Sequence, residues 1–422
     1  MSFESPKLRI AEADDWEALP GIPADRHFLF VSAPFGPFAR ELAGELEALG
    51  ARCTRIILNG GDALDWGFSS ALPYLGGLAG WAFWLRSQVL QRGVTDVVTY
   101  GDSNPYAHEA LALARTLGLR RHVLEQGYFR PDWVTVQRNG VNGNSQLPRR
   151  PEWYLNHPLN AQPPSEQRVG RTTPSAVFLI VRYHAAAYLG ALAFPNYRSP
   201  YQHSAIRQAV CHARRFVGGR LRSRWSKRRH EKVMGAAGTV FLALLQRPGD
   251  SQLWRHSRYE TTEAFVRRVV ASFAAHAPAE AELVFRPHPL DPGIDDQDRL
   301  IRQIAGQEGV VRRVHYLDHG KLHEILPKVR GAVCVNSTAG LAAVEFSRPT
   351  ITLGKAIYDM PGLTHQGELD DFWTSPQAPD MALFSAFRHV VMATTQVNGA
   401  YATRFGRKLA VPEVARRLMS PD

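Results

Sequence analysis

Four short segments combine polar side chains with turns at the ends of predicted strands. They are residues 125–128 (EQGY), 245–252 (LQRPGDSQ), 286–289 (RPHP) and 336–340 (NSTAG). In open parallel α/β sheets, the side chains that follow the carboxyl ends of the strands face the ligand crevice. Each segment is therefore a candidate ligand-binding element, although each also has an ordinary structural interpretation.

Two carboxylates are candidates for acid–base or nucleophilic chemistry. Glu125 lies where a strand turns at Gly127, a residue that lets the backbone turn or approach a ligand closely. Asp250 follows the first strand of the second half of the chain, a position that suits a nucleophile or a base. A capping glutamate is an equally good interpretation of Glu125. For Asp250, the pattern by itself favours a helix N-cap.

The other two segments suit the recognition of an anion. Arg286 and His288 are held by flanking prolines, and a guanidinium beside an imidazole suits a phosphate or a carboxylate, so we favour a functional role here. Residues 336–338 precede a predicted helix, where free N–H groups and hydroxyls either bind an anion or serve as ordinary N-caps. Glu345, within that helix, either reaches a ribose or base or is solvated.

The chain lacks the motifs of several common enzyme classes. It has no GxxxxGK[ST], GxGxxG or GxSxG pattern, and none of its His-Glu pairs has the second histidine of the HExxH zinc motif. Asp296 and Asp298 have the spacing of a metal clamp. Carboxylates at a helix start suit the helix dipole, so we interpret this pair as part of a helix N-terminus.

Strands that alternate with helices would position these segments, a pattern that predicts parallel α/β sheets. The predicted strands are residues 27–33, 53–58, 94–100, 121–124, 239–245, 282–285, 332–335 and 350–353. The predicted helices are residues 37–49, 105–117, 176–194, 262–275, 297–304, 321–328 and 341–347, and residues 138–175 are predicted to be loop. The two series predict two α/β domains of similar size, with a boundary near residue 235.

Composition excludes several classes of protein. The chain has 422 residues, of which 45% are hydrophobic and 21% charged, as in globular proteins and unlike disordered or fibrous ones. Its three cysteines fit neither a disulfide framework nor a zinc pattern, and they suit a reducing cytoplasm. The formal net charge of +11 favours an anionic partner, which is a nucleic acid, a membrane surface, or an acidic sugar or nucleotide.

Two segments raise the question of a membrane. Residues 207–229 carry nine basic residues and no acidic one, and each basic residue near an anionic leaflet adds about 1 kcal/mol of binding. A solvated helix is the alternative, and nucleic-acid binding is a weaker one because no recognised module accompanies the segment. Residues 66–85 have no charge, but Pro73 and four glycines weaken a spanning helix, so we favour core or loop there, with an acceptor-side or interfacial surface as the main alternative. The amino-terminal residues lack the apolar region of a secretory signal.

Taken together, the segments resemble the capsular polysaccharide biosynthesis/export family, and in particular its KpsS-like retaining β-Kdo glycosyltransferases. The resemblance covers most of the chain, and it is least informative over about the first 25 residues and the basic segment. It rests on residues 32–42 (SAPFGPFAREL), 59–66 (NGGDALDW), 100–106 (YGDSNPY), 125–136 (EQGYFRPDWVTV), 140–145 (GVNGNS), 244–259 (LLQRPGDSQLWRHSRY), 285–291 (FRPHPLD), 335–365 (VNSTAGLAAVEFSRPTITLGKAIYDMPGLTH) and 369–373 (LDDFW).

The resemblance implies a GT-B fold, with two Rossmann-like domains that face an interdomain cleft. Residues 1–235 would form the acceptor-side domain, and residues 236–422 would form the domain that binds the CMP-sugar donor. The implied reaction transfers β-Kdo from CMP-Kdo, with retained anomeric configuration, to a phosphatidylglycerol-type lipid. The implied location is cytoplasmic and peripheral, on the inner face of the inner membrane. Other capsule assembly proteins are possible partners, and nucleic acid is not expected.

The resemblance also implies roles for individual residues. A retaining transfer usually needs a carboxylate nucleophile, which would be Asp250, with Glu125 as the acid/base that deprotonates the acceptor hydroxyl. A CMP-sugar carries a single phosphate, so no metal or other cofactor is expected. The implied donor-binding residues are Gln126, Gly127, Arg286, His288, Asn336, Ser337, Thr338 and Glu345. The basic residues expected at the membrane or acceptor are Arg214, Arg215, Arg222, Arg224, Lys227 and Arg228.

One departure and two alternatives accompany this interpretation. Residues 247–249 (RPG) precede Asp250 where more acidic residues are expected in relatives, although Asp250 itself is in place. The first alternative is a non-catalytic component of capsule export that binds lipid or glycan. The second is a transferase that uses another CMP-sugar, such as a sialic acid donor.

Overall fold

A computed structural model describes residues 25–156, 165–199, 203–235, 240–247, 257 and 259–421 of the chain, and residues 216–226 and 229 by their backbone alone. Two sheets, both mainly or entirely parallel and flanked by helices, organise these residues. The predicted α/β fold with two Rossmann-like halves is thereby confirmed.

The strands of the described residues fall into a seven-stranded and a five-stranded sheet. In chain order they are β1 (His27–Phe30), β2 (Arg52–Ile57), β3 (Ala71–Pro73), β4 (Asp96–Tyr100), β5 (Arg120–Gln126), β6 (Trp133–Arg138), β7 (Val240–Leu244), β8 (Glu282–Arg286), β9 (Val314–Tyr316), β10 (Gly331–Cys334), β11 (Thr350–Thr352) and β12 (Gln396–Asn398). The first sheet has the order β12-β6-β5-β4-β1-β2-β3, and the second has the order β11-β10-β7-β8-β9. Only β6 runs antiparallel to its neighbours β5 and β12 among these described pairings.

The helices of the described residues connect and cover the strands. In chain order they are α1 (Phe38–Ala48), α2 (Gly60–Trp66), α3 (Leu78–Arg92), α4 (Pro105–Thr116), α5 (Pro151–Asn156), α6 (Thr172–Leu189), α7 (Ala205–Met234), α8 (Thr262–His276), α9 (Gln297–Gln307), α10 (Leu322–Ile325), α11 (Thr338–Glu345), α12 (Leu369–Phe372), α13 (Met381–Thr395) and α14 (Arg404–Met419). Within the described ranges, no helix combines the length and the apolar character that crossing a bilayer requires.

Continuous apolar strands produce the core, as expected when helices cover both faces of a parallel sheet. Every residue of β1 is buried. Phe28 and Phe30 pack on one face with α1 and α14, while Leu29 and the following Val31 pack on the other with α3 and α4. The alternating direction of side chains along the strand thus divides one apolar run between two cores.

Local sequence patterns predicted most of the strands and helices that the structure contains, but they missed some. The predicted strands and helices are present, with ends that differ by a few residues. Residues 66–85 contain β3 and half of α3. Trp81 and Leu85 are buried, but Phe68 and Phe83 are exposed, so this uncharged stretch belongs partly to the core and partly to the surface. The predicted loop of residues 138–175 contains the short helix α5. The pattern predicted no element after residue 353, where the structure has α12, α13, β12 and α14.

The chain crosses back to the first sheet near its end. β12 pairs antiparallel with β6, with Val397 opposite Val134. α14 packs on α1, and the ring of Tyr401 meets that of Phe38 edge-on at 4.7 Å. The division into domains 1–235 and 236–422 stays a prediction, and the pairing adds that residues 396–398 complete the first sheet.

A buried ionic network fixes the amino-terminal ends of β1, β4 and β5. The Asp96 carboxylate is fully buried and accepts hydrogen bonds from Arg26, from His122 at 2.7 Å and from Thr95 at 2.7 Å. Burial alone would raise the pKa of Asp96, but the hydrogen bonds from His122 and Arg26 outweigh it and hold that pKa below its usual value. The network lies at the edge of the sheet opposite the candidate site and has a structural role.

We expect Asp96→Asn to destabilise the protein by about 3–5 kcal/mol, because it leaves the Arg26 guanidinium buried without a counter-ion. The folded-state pKa of Asp96 is lowered, so its contribution is present above the unfolded pKa near 4 and is lost as the pH falls below that value. Urea unfolding at neutral and at acidic pH measures both effects. The difference in the free energy of unfolding between wild type and variant should be smaller at acidic pH than at neutral pH.

Asp25→Asn is the matched control, because Asp25 is exposed and pairs with an exposed arginine, Arg52. It should change the free energy of unfolding little. Equal losses in the two variants would show that the buried network does not stabilise the fold.

Candidate functional site

The carboxyl ends of β10, β7 and β8 bring three of the predicted segments to one edge of the second sheet. These strands are adjacent and parallel, so the loops that follow them lie side by side. Gln246, after β7, donates a hydrogen bond from Nε2 to Oδ1 of Asn336, after β10, at 2.7 Å. The convergence predicted from strand-end positions is therefore present.

His288, in the loop after β8, is a half-buried neutral hydrogen-bond donor. The Leu290 N–H donates to its Nδ1 at 3.1 Å, so the proton of the neutral ring is on Nε2. Burial first, and then the positive charges of Arg130 and Arg247, together lower the pKa of His288 to about 4. At neutral pH the ring carries no charge and presents one N–H group.

The two arginines beside His288 come from different sheets. Arg130 follows β5 in the first sheet and Arg247 follows β7 in the second. Both guanidinium charges act on the His288 ring and oppose its protonation, and the three residues Arg130, Arg247 and His288 are called here the cationic cluster. Arg130 also donates to the Gly127 carbonyl at 3.3 Å, and Arg247 to Gln208. Two guanidinium groups and a neutral N–H donor at one place suit an anion.

The amino terminus of α11 lies beside this edge. Ser337 is its N-cap and accepts a hydrogen bond from the Ala339 N–H at 3.1 Å, so the capping interpretation of this residue is confirmed. The Tyr358 hydroxyl donates to the Ser337 carbonyl at 2.6 Å. A Cβ at Gly340 would lie 2.3 Å from that hydroxyl oxygen, so the glycine is needed for this contact. Anion binding by Ser337 and Thr338 stays a prediction.

Arg286 has structural partners. Its guanidinium donates to the His319 carbonyl at 2.8 Å and also to the Gly320 carbonyl, both in the loop after β9. Half-burial lowers the pKa of Arg286. The residue thus ties the end of β8 to the neighbouring loop, and its predicted contact with a donor stays a prediction.

Glu125 and Gln126 end β5 on the opposing sheet. The Glu125 side chain is partly exposed, and its Oε1 accepts from the Gln126 N–H at 3.0 Å, while the Tyr401 hydroxyl donates to its carbonyl at 2.8 Å. Gln126 is exposed and donates from Nε2 to the Tyr100 hydroxyl at 3.1 Å. Their predicted roles in acid–base chemistry and donor binding stay predictions, now located at a strand end.

Gly127 has a structural explanation. Its N–H donates to the Trp133 carbonyl at 3.0 Å where β5 turns into β6, and a Cβ on Gly127 would lie 2.4 Å from that carbonyl oxygen. The absence of a side chain allows the tight turn. Its predicted close approach to a donor stays a prediction.

An apolar cluster joins the loop after β5 to the second half of the chain. Phe129 and Trp133 pack in one core with Leu341 and Val344 of α11 and with Ile357. Nearby, Arg388 lies over the Phe129 ring at 5.1 Å and 3.7 Å from the Glu345 carboxylate. Glu345 is exposed but forms an ion pair at this junction, and whether it contacts a nucleotide stays a prediction.

Other segments that carry the family resemblance support the first sheet. Asp62 is buried and accepts hydrogen bonds from Arg55 at 2.8 Å, from the Leu58 N–H at 3.0 Å and from the Tyr183 hydroxyl at 3.1 Å. Asp102, also buried, accepts from the Asn144 amide at 2.9 Å. These aspartates hold loops at the carboxyl edge and are positioning residues.

The basic helix α7 runs along the edge of the second sheet. Arg215 donates to the Asp291 carbonyl at 2.6 Å, and Gln208 accepts from Arg247 of the cationic cluster. His230 lies 5.8 Å from His319, ring centre to ring centre. One face of the helix therefore contacts the protein.

The other predicted residues of this basic segment differ in what the structure describes. Arg214, Lys227 and Arg228 are exposed. The side chains of Arg222 and Arg224, and the whole of Asp250, lie outside the described residues.

Sequence patterns did not single out Arg130, Arg247 or Arg388 as site residues. The first two stand inside segments 125–136 and 244–259, so their position beside Glu125 and Asp250 was the available signal. Arginine is common in turns, so the sequence does not distinguish these residues. Only the tertiary structure shows that Arg130 and Arg247 both act on His288.

The acidic pair near α9 is not a metal clamp. Asp296 is the N-cap and accepts from the Arg299 N–H at 3.0 Å, which confirms the helix-start interpretation. Within the ranges that the structure describes, no group of three or more His, Cys, Asp or Glu side chains is arranged to hold a metal ion. The expectation that the reaction needs no cofactor stays a prediction.

Comparisons with known proteins place the chain among capsule proteins. The family described as "Capsule polysaccharide biosynthesis protein" matches residues 95–401. The chain is 31% identical over 392 residues to the capsule polysaccharide export protein KpsS of Escherichia coli, covering 91% of this chain and 99% of that protein. It is 30% identical over 385 residues to the capsule polysaccharide modification protein LipB of Neisseria meningitidis serogroup A, covering 89% of this chain and 91% of that protein.

Solved structures give more remote likenesses. Thermosulfurimonas dismutans KpsC, described as a β-Kdo 2,7 transferase, is similar with a TM-score of 0.41 and 10% identity, covering 93% of this chain and 99% of that chain. A KpsC structure described as a β-Kdo 2,4 transferase gives a TM-score of 0.39 and 14% identity, covering 93% and 97%. Both likenesses concern the fold at most.

The cationic cluster predicts that removing Arg130 changes the pKa of His288. Arg130→Ala should raise the pKa of His288 above about 4, because a positive charge that opposes protonation is removed. The pKa should stay below 6.5, since burial is the larger cause and remains. An NMR titration of the imidazole nitrogens measures this shift. Arg150→Ala, at an exposed arginine of the same half, is the control; the same shift in both variants would contradict the cluster.

Proposed function

The chain belongs to the capsule polysaccharide biosynthesis family, and from this premise we propose that it is a retaining β-Kdo glycosyltransferase. It uses CMP-Kdo to start the Kdo linker on a phosphatidylglycerol-type lipid. The observation that carries the proposal is the convergence of the loops after β7, β8 and β10, where Gln246 donates to Asn336 at 2.7 Å and His288 keeps one N–H group. The charges of Arg130 and Arg247, which act on His288, add positive potential there. No metal or other cofactor takes part in the proposed reaction.

The chemistry of the donor matches this cluster. CMP-Kdo presents one phosphate and one carboxylate, and both are anions that guanidinium groups bind through charge-assisted hydrogen bonds. His288, neutral with its proton on Nε2, adds a donor without adding a charge. Negative charge grows on the phosphate as CMP leaves, so donors that are already in place stabilise the transition state more than the bound substrate.

The proposed reaction has two displacements. In the first, an Asp250 carboxylate oxygen attacks the anomeric carbon of Kdo, the bond to the phosphate oxygen breaks, and CMP leaves with the electron pair. In the second, Glu125 takes the proton of the acceptor hydroxyl, whose oxygen attacks the same carbon and releases Asp250. Two inversions retain the configuration. Glu125 suits its role by its partly exposed position at the end of β5.

The remaining predicted residues complete the donor site. Arg286, Asn336, Ser337, Thr338 and Glu345 stand on loops at the same edge of the second sheet or on α11 beside it. In the proposal, the amino terminus of α11 supplies further N–H groups to the phosphate or carboxylate. Gln126 faces the same cleft from the first sheet.

The proposed acceptor is an anionic lipid, so the protein works at the inner face of the inner membrane. The exposed basic residues Arg214, Lys227 and Arg228 of α7 would contribute to attraction towards anionic headgroups. Arg215 donates a hydrogen bond to the Asp291 carbonyl, so its main role is structural.

A second candidate is a non-catalytic component of capsule export that binds lipid or glycan. The word "export" in the name of the Escherichia coli relative supports it. A third candidate is a transferase for another CMP-sugar, because the cluster recognises anions and not the hydroxyl pattern of Kdo.

We expect the purified protein to add one Kdo to a fluorescent lyso-phosphatidylglycerol when CMP-Kdo is generated in situ, as measured by mass spectrometry. Asp250→Asn should reduce transfer at least a thousandfold, because it removes the nucleophile, and Glu125→Gln should slow transfer by about a hundredfold or more. Asp25→Asn, at an exposed carboxylate, is the control.

Normal turnover by Asp250→Asn would overturn the nucleophile assignment. Turnover with a CMP-sialic acid donor but not with CMP-Kdo would select the third candidate. Lipid binding without turnover of either donor would select the export component.

Arg247→Ala should weaken CMP binding by about tenfold or more, because a charged hydrogen bond to the phosphate contributes about 1.5–3 kcal/mol. Cytidine lacks the phosphate, so its weaker binding should not change. Calorimetric titration of both ligands, with Arg150→Ala as the control, separates recognition of the anion from damage to the nucleoside pocket. Equal losses for CMP and cytidine would refute phosphate recognition by Arg247.

A further inference from the structure

Helix α6 exposes apolar side chains along its outer side. The outer side of α6, called here the α6 face, consists of Val177, Phe178, Val181, Tyr188, Leu189 and Leu192 just beyond the helix end. Phe178 is 66% exposed, Leu189 is 87% exposed and Leu192 is 96% exposed. Apolar side chains this exposed and this close together mark an interaction surface.

The orientation of α6 is fixed by specific contacts with the first sheet. A Cβ on Gly60 would lie 2.2 Å from the Ala186 carbonyl oxygen, so α2 and α6 touch backbone to backbone. The Tyr183 hydroxyl reaches the buried Asp62, and Arg182 forms an ion pair with Asp65. The apolar face is therefore turned outwards by the packing of the helix.

The pattern of this helix is the reverse of an ordinary surface helix. Arg182 is the one charged residue of its sequence, and it points inwards to an acidic partner. His184, also on α6, lies half-buried against Phe35, with ring centres 5.6 Å apart. A helix on a water-exposed surface normally turns its apolar residues inwards and its charges outwards. The reversal indicates that the medium outside the α6 face is apolar.

Basic residues flank this apolar face in the sequence, and the nine of residues 207–229 lie on α7. Residues 167–230 contain thirteen of the 50 basic residues of the chain and none of its 39 acidic residues, so the remainder, with 37 basic and 39 acidic residues, is almost neutral. Exposed Arg168 and Arg171 precede the first turn of α6. The whole positive excess of the protein thus lies in the part of the chain that contains the α6 face.

An open groove adjoins the amino-terminal half of the face. It has a volume of about 540 Å³, and its lining includes Phe178, Arg182, Arg404 and Arg407. Arg182 pairs with Asp65 and Arg407 with Glu41, whereas Arg404 is exposed to solvent. An exposed guanidinium beside apolar carbon suits the boundary between acyl chains and phosphate headgroups.

We propose that the α6 face docks the protein on a phospholipid bilayer that contains anionic lipid. The apolar side chains enter the interfacial region, and the exposed Arg168, Arg171 and Arg404 meet the headgroup phosphates. Charge complementarity favours a bilayer as the partner of the α6 face, because an anionic bilayer has an apolar layer beneath a layer of negative charge. The proposal concerns binding and goes beyond the transfer reaction, so it holds whether or not the protein turns over a donor.

The test is co-flotation of the full-length protein with vesicles of three parts phosphatidylcholine to one part phosphatidylglycerol, and with vesicles of phosphatidylcholine alone. The variant Val181→Asp/Leu189→Asp places two charges on the α6 face at exposed positions that the fold tolerates. We expect it to bind the anionic vesicles at least tenfold more weakly than the wild type. The wild type should bind the neutral vesicles weakly.

The matched control is Val311→Asp/Met381→Asp, which makes the same change in charge at exposed apolar residues of the second half of the chain. It should bind anionic vesicles as the wild type does, and thermal unfolding should show all three proteins folded. Unchanged vesicle binding by the face variant would overturn the proposal. A wild-type dimer that the face variant dissociates, with vesicle binding retained, would overturn it in favour of a second copy of the chain. If the wild type binds vesicles but shows no transfer activity, the proposed transfer reaction is wrong and the proposed docking surface is unaffected.

Discussion

The packing of the loop after β5 against α11 is the constraint on which the candidate site depends. Phe129 and Trp133 of the first half are buried in one apolar core with Leu341, Val344 and Ile357 of the second half. Since burial of apolar surface is non-directional, the contact does not by itself dictate chemistry. It does hold the loop after β5 against the second half of the chain, and the charge of Arg130 in that loop acts on His288. The return of β12 to the first sheet adds backbone hydrogen bonds to the same junction.

Charged residues serve two different purposes at the two ends of the first sheet. At the amino-terminal ends of the strands, Arg26, Asp96 and His122 neutralise one another and are sealed from water. At the carboxyl ends of the strands, the positive charges of Arg130 and Arg247 act on His288 and help to keep it neutral. A network that satisfies itself supports the fold. A group of like charges destabilises the empty site slightly and favours an incoming anion.

The carboxyl edge of the first sheet links the candidate site to the α6 face. The α6 face is attached through Gly60 and Asp62 to loops at the carboxyl edge of the first sheet, which is also the edge where Glu125 lies. A bilayer bound there would be on the acceptor half of the proposed enzyme, and a lipid acceptor would need to travel only a short way to the cleft. α7 then combines two roles, because Arg215 on one of its faces contacts the loop after β8 while Arg214, Lys227 and Arg228 are exposed.

The sequence by itself determined the local structure and the candidate segments. Apolar periodicity located most strands and helices, and the capping residues Ser337 and Asp296 are where their side-chain chemistry predicts. These features depend on neighbours a few residues away, so they can be derived from a linear pattern. Tertiary structure decided the rest: the meeting of Arg130 with Arg247, the engagement of Arg286 by backbone carbonyls, the pairing of β12 with β6, and the outward direction of the α6 face. Each of these depends on how residues far apart in the chain pack together, and periodicity carries no information about such distances.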